Sequence, residues 1–202
     1  MNITADFLNK LGEFEKKYIT VADLEKLWER KRVSLKVMVQ RLIKAGFLMR
    51  LKPGVYILPD NLAFLAEIAN QLYYPSYLSF SSALSRYGVV GQVPYSLTFA
   101  TTKKSKTMDL GGKEVVYSQI KPELYFGYQL VEKMNIADPE KALLDQLYLA
   151  ALGKAKVDFE ELTLTDLDKK RWGEYVKRFP DRVKPAVREI NRRWGQVFVG
   201  EY

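Results

Sequence analysis

The sequence predicts an α+β protein: an N-terminal winged helix-turn-helix followed by a mixed α/β C-terminal domain with a small sheet and several helices. Three observations support this. Apolar residues recur at helical spacing through residues 7–45, with a capping signal among them. A Pro-Gly turn then joins two short apolar runs, and after it alternating segments mix with helix starts. Residues 1–59 are assigned to the first domain and 60–202 to the second, with no flexible linker between them.

Phe7, Leu8, Leu11, Phe14 and Tyr18 predict a first amphipathic helix over 7–18. Thr20-Val21-Ala22-Asp23 has the form of a capping box, in which the hydroxyl accepts from the amide three residues on and the acid answers it. A second helix therefore starts there, burying Val21, Leu24, Leu27 and Trp28. After a basic turn of Arg30, Lys31 and Arg32, Ser34 is expected to cap a third helix running to about Ala45 and stopped by Gly46. Steps of about 100° per residue put Leu35, Met38, Val39, Leu42 and Ala45 on one face. Val37, Gln40, Arg41 and Lys44 fall on the other, with Lys36 at the boundary.

Long cations reach phosphates or guanine edges, an amide pairs bidentately with adenine, and a small apolar group suits a thymine methyl. The third helix is thus expected to read DNA. Phe47–Leu51 and Val55–Leu58 read as strands joined at Lys52-Pro53-Gly54, where Pro presets φ and Gly takes the positive φ of a tight turn. Arg50 and Lys52 sit on this wing. The expected DNA-binding set is Arg32, Ser34, Lys36, Val37, Gln40, Arg41, Lys44, Arg50 and Lys52.

Beyond the wing, Leu62, Leu65, Ile68, Ala69 and Leu72 predict a helix over 61–74. A short helix follows, capped at Ser79 and stopped at Gly88, its serines serving caps and close packing. Alternation predicts strands at 96–101, 114–120 and 124–128, with 102–112 as a lysine-bearing loop. Asp138-Pro139-Glu140 is the clearest helix start, with the cap, the first-position proline and an acid at the positive end of the dipole. Leu143, Leu144, Leu147, Ala151 and Leu152 supply its buried face. Two basic helices are expected at 167–179 and 182–194, broken at Pro180, with Trp172, Phe179, Val187, Ile190 and Trp194 packed inward.

Charge is distributed in blocks. Residues 26–52 hold nine basic groups and one acid, 53–168 hold ten and fourteen, and 169–193 hold ten and three. Two basic blocks flanking an acidic middle make a polyanion the first partner to expect. Lys103, Lys104, Lys106, Arg188, Arg192 and Arg193 form the expected second polyanion or partner surface. The chain has no Cys and no His, which removes thiol nucleophiles, Ser-His pairs and the usual zinc ligands. Glu15-x-Lys17 and Asp168-x-Lys170 are fragments of an acid-x-Lys nuclease pattern without a second acidic partner. No enzyme activity, catalytic residue, metal or cofactor is expected. The N-terminus lacks a secretory signal and no apolar run is long enough to span a bilayer, so a cytoplasmic location without membrane contact is expected.

Several stretches together resemble the AbiEi family of antitoxin-type transcriptional regulators from type IV, abortive-infection toxin-antitoxin systems. They are Lys52-Pro53-Gly54-Val55-Tyr56, Tyr77 to Leu84 followed by Tyr87-Gly88, Thr98-Phe99-Ala100-Thr101 and above all Asp138 to Asp145; the likeness covers roughly residues 10–155. The resemblance implies a winged helix that binds the operator of its own operon as an autorepressor. It also implies a C-terminal domain that opposes a nucleotidyltransferase-like toxin, with or without direct contact. From the residues alone, an RNA-binding factor using Tyr73, Tyr74 and Tyr77, or a protein-interaction adaptor, stays open.

Overall fold

The computed structural model describes residues 3–28 and 32–197. The chain divides into two compact units, one of Met1–Ala69 with Asp109–Lys113, the other of Asn70–Met108 with Glu114–Tyr202. The expected boundary at 59/60 instead falls at the start of a 3-10 turn, Pro59–Phe64. Among the described residues the protein is mixed α+β, with eight α-helices and two sheets.

In the first unit α1 (Ile3–Gly12), β1 (Ile19–Thr20), α2 (Val21–Leu27) and α3 (Arg32–Lys44) precede β2 (Met49–Lys52) and β3 (Val55–Ile57). The strands form an antiparallel sheet in the order β1-β3-β2. Phe7, Leu11, Ile19, Leu24, Trp28, Leu35, Val39, Leu42 and Leu48 make its core, with Phe7 and Trp28 edge to face at 5.0 Å. The predicted first helix is too long. It ends at Gly12, and Phe14 packs on the core from a loop, because the chain must straighten for Ile19 to pair with Tyr56. The capping box stands as predicted: Thr20 Oγ1 accepts from the Asp23 amide at 3.2 Å while Asp23 Oδ2 accepts from the Thr20 amide at 3.0 Å.

Two expectations for α3 need correction. The helix is already formed at Arg32, so Ser34 lies inside its first turn and does not cap it. Ser34 Oγ instead accepts from the Trp28 indole at 3.0 Å. Ala45 lies beyond the helix and is exposed. Gly46, at φ 77°, ends the helix as expected, and the Phe47 amide reaches back to the Leu42 carbonyl at 2.9 Å. Arg30 and Lys31 lie outside the described residues.

The predicted helix over 61–74 is split into the 3-10 turn and α4 (Leu65–Leu72). The chain continues with β4 (Ser76–Leu78), α5 (Phe80–Arg86), β5 (Leu97–Thr101), β6 (Lys106–Leu110), β7 (Lys113–Gln119), β8 (Tyr128–Val131) and β9 (Met134–Ala137). The helices α6 (Pro139–Ala151), α7 (Lys169–Val176) and α8 (Lys184–Val197) close it. The strands form one sheet in the order β6-β7-β5-β4-β9-β8, parallel at β5/β7 and β4/β9. Half of the expected 102–112 loop is therefore strand β6. Tyr77 and Leu78, ahead of the short helix that starts after Ser79 as expected, belong to a central strand, and the weak strand expected at 124–128 begins only at Tyr128.

Ser79 and Asp138 hold the N-cap positions of α5 and α6, yet neither side chain caps. Ser79 Oγ donates to Asp145, and Asp138 accepts from Gln129 Nε2 and the Tyr175 hydroxyl, both at 2.7 Å. Leu143, Leu144 and Leu147 are fully buried as expected, whereas Ala151 at the helix end is exposed. The five apolar residues expected to pack inward from the tail are all buried.

Candidate nucleic-acid interface

α3 sorts cleanly by face. Leu35, Val39 and Leu42 enter the core, while Arg32, Val33, Ser34, Lys36, Val37, Gln40, Arg41 and Lys44 are exposed. Lys36, placed at the boundary from the sequence, is on the open face. Val37 is 48% and Val33 80% exposed. The helix cannot bury these because its opposite face already fills the core, so the exposed apolar groups remain available to a partner.

Beside this face lies a cleft of about 640 Å³ lined by Arg32, Lys36 and Gln40 of α3, Arg50 of β2, Tyr56 of β3 and the apolar Val21, Val33 and Val39. The register explains the grouping. Arg50 is directly opposite Tyr56 across the hairpin, and alternation turns Tyr56 away from the buried Val55 and Ile57. Val37, Arg41 and Lys44 lie on the open face outside the cleft, and Lys52 is half-buried at the turn. Among the described residues no carboxylate pairs with Lys36, Arg41, Lys44 or Arg50. Arg32 differs: its Nε is 2.7 Å from Glu25 of α2. Glu25 was missed, since seven residues separate the pair and no periodic pattern joins them. Unpaired cations and an exposed amide beside a hairpin can neutralise phosphates and hydrogen-bond base edges.

The other expected basic residues lie in the second unit. Lys103, Lys104 and Lys106 are exposed around Tyr73. Lys103 and Lys106 hold their ammonium groups 5.3 and 5.4 Å from its ring, and its hydroxyl donates to the Lys104 carbonyl. On α8, Arg188 is exposed, but Arg192 and Arg193 both bind Glu189, and Arg193 also reaches Glu160 and the Phe159 carbonyl. Arg193 thus ties α8 to the 158–161 segment, correcting its expected place on an open polyanion surface. The hydrogen bonds from Arg192 and Arg193 hold the Glu189 carboxyl down, from 4.5 to about 2. The stabilisation exists above the ordinary value and is lost as pH falls through the lowered one. Glu189→Gln should therefore melt below wild type at neutral pH, with the gap closing between about pH 4.5 and 2. A gap constant over that range would mean that Glu189 acts through packing alone.

A second polar cluster is sealed inside the second unit and was not legible in the sequence. Lys141 and Asp145 of α6, Tyr77 of β4 and Ser79 are all fully buried. Lys141 Nζ donates to Asp145 and, at 2.7 Å, to the Tyr77 hydroxyl. The Tyr77 and Ser79 hydroxyls each donate to Asp145 at 2.8 Å. Burial pushes the Asp145 carboxyl up and the Lys141 ammonium down, and their mutual attraction opposes both shifts. Every member is satisfied and none reaches solvent, so the cluster joins helix to sheet. Of the acid-x-Lys fragments, Lys17 lies 4.2 Å over the Phe64 ring, and Asp168 caps α7 by accepting from the Lys170 and Arg171 amides.

No family model and no curated protein matches the chain. Among solved structures it is similar to the crystal structure of the Rv2827c protein from Mycobacterium tuberculosis, with a TM-score of 0.60, 13% sequence identity, and coverage of 89% of this chain and 73% of that one. At this identity the likeness concerns the fold. No helix among the described residues is long and apolar enough to cross a membrane.

Proposed function

We propose that the protein is a sequence-specific duplex-DNA-binding transcriptional regulator whose first unit is a winged helix-turn-helix. In this reading α3 enters the major groove and the β2–β3 hairpin is the wing. The observation that carries it is the open face of α3, where Lys36, Gln40, Arg41 and Lys44 are exposed and, among the described residues, the three cations have no carboxylate partner, opposite a buried stripe of Leu35, Val39 and Leu42. A helix of thirteen residues with one face committed to the core presents the other as a unit. The resemblance to AbiEi regulators extends the proposal to a cytoplasmic, autorepressing antitoxin whose operon also encodes a nucleotidyltransferase-like toxin.

Single-stranded RNA is the weaker reading. Of the tyrosines it would use, Tyr77 is fully buried and Tyr73 is held between lysines, leaving Tyr74 exposed. The test is fluorescence anisotropy with a duplex from the region upstream of the gene, in competition with single-stranded RNA and unrelated duplex. Duplex should win, and Gln40→Ala or Arg41→Ala should each cost about 1–3 kcal/mol of discrimination where the side chain pairs bidentately with a base. Unchanged affinity and selectivity in both variants would remove α3 from the reading role. A neighbouring toxin gene, neutralised by this chain on co-expression, checks the antitoxin part.

A further inference from the structure

On the second unit, sharing no residue with the proposed DNA-reading face, a cleft of about 470 Å³ opens between two dissimilar walls. Its floor is apolar and buried, formed by Leu84 of α5 and Leu143 of α6. One wall is the uncharged loop Gly91–Ser96, on which Val93 is 88% and Tyr95 81% exposed. The other is the segment from Lys156 to Leu162. Residues 157–168 hold five acids and no base, and Asp158 and Glu161 from that stretch line the cleft.

The walls are fixed in place. Val90 bridges to Leu162, and the Thr163 amide donates to the Val89 carbonyl at 2.9 Å. Gln146 Nε2 donates to the Lys156 carbonyl at 3.1 Å. A preformed cleft loses little conformational entropy when filled. Its volume lies within the ~300–1,000 Å³ of ordinary ligand pockets, room for a bulky side chain with its flanking backbone. Two large apolar residues, each more than four-fifths exposed at the mouth of such a cleft, mark an interaction surface more than they mark ordinary surface scatter.

Charge selects the occupant. Among the described residues Lys156 is the one cation lining the cleft, against the carboxylates of Asp158 and Glu161; Glu161 accepts from Gln92 Nε2 at 3.4 Å, which leaves its charge unneutralised, whereas Glu160 beside them is paired with Arg193. In a chain of net charge +8 this is an acidic island. The geometry points to a docking site for a basic segment of another protein, which seats one large aliphatic or aromatic side chain against Val93, Tyr95 and the leucine floor and sets its cations against Asp158 and Glu161.

The test is calorimetric titration of the full chain with two synthetic peptides of about twelve residues. They share the same Leu and Trp positions and carry Lys in one and Glu in the other at the remaining sites. The Lys peptide should bind and the Glu peptide should not. The Asp158→Lys/Glu161→Lys double variant should lose roughly tenfold or more in affinity, since it sets like charges against each other. Tyr95→Ser should weaken binding through the apolar contact. Circular dichroism melts of both variants establish that they fold, and amide shifts in the 15N spectrum should gather at 92–95 and 156–162. Absence of Lys-peptide binding, preference for the Glu peptide, or binding that survives both folded variants would overturn the proposal. So would wild-type self-association abolished by Val93→Glu, which would give this face to a second copy of the chain.

Discussion

Replacing Lys141 by Met is expected to destabilise the second unit by about 3–5 kcal/mol, the usual cost of leaving one partner of a buried ion pair uncompensated. Asp145 would keep the Tyr77 and Ser79 hydroxyls as donors, but it would lose its cation in a place that water does not reach. The double variant Lys141→Met/Asp145→Leu should recover part of the loss by removing both charges. Recovery should be incomplete, because the Tyr77 and Ser79 hydroxyls would both be left buried without the acceptor they now share, at about 1–3 kcal/mol each. Urea unfolding followed by Trp fluorescence in a Trp28→Phe background isolates this unit, since Trp172 and Trp194 both belong to it. A Lys141→Met cost below about 1 kcal/mol would show that the pair does not hold α6 to the sheet.

Changing Lys36, Arg41, Lys44 and Arg50 together to Gln should abolish most duplex affinity at physiological salt while leaving any sequence preference carried by Gln40. Each neutralised phosphate adds a slope of about 0.9 to the dependence of log affinity on log salt, so removing four such cations would flatten it by up to about 3.6. Arg32 is deliberately left in place, because its removal would also free Glu25. The fold should tolerate the change, since Lys36, Arg41, Lys44 and Arg50 are exposed. An unchanged slope in the folded variant would place the polyanion-binding surface elsewhere.

What could be read from the sequence was local. The Thr20–Asp23 capping box, the stop at Gly46 and the turn at Pro53-Gly54 each depend on residues within three or four positions of one another, and each is present. The open face of α3 was legible for the same reason: helical periodicity fixes it, apart from Lys36 and Ala45 at its limits. The strands that were missed had no local signal. β8 and β9 meet through Glu132 and Lys133, which adopt positive φ without a glycine or asparagine to announce the turn. β6 lies among lysines that read as a loop. The burial of Glu140, Lys141 and Asp145 was the largest omission. Their charges and helical spacing suggest a solvated face, and the groups that compensate the burial of Lys141 and Asp145 lie 64–68 residues away at Tyr77 and Ser79.

The composition of the first unit bears on how the chain is made. Its residues are not contiguous: the turn at 109–113 belongs to it, and the Gly111 amide donates to the Leu51 carbonyl at 2.9 Å. That turn accepts only glycine readily at position 111, where φ is +64° and a Cβ would meet Leu51 Cδ2 at 3.2 Å. A ribosome that has just released Ala69 must therefore add the chain through Lys113 before the unit has all its parts. At about 5–20 residues per second this takes roughly 2–9 s. Throughout that interval β2, an edge strand of its sheet, lacks the donor that meets Leu51 in the finished protein and is exposed to pairing with a neighbouring nascent chain.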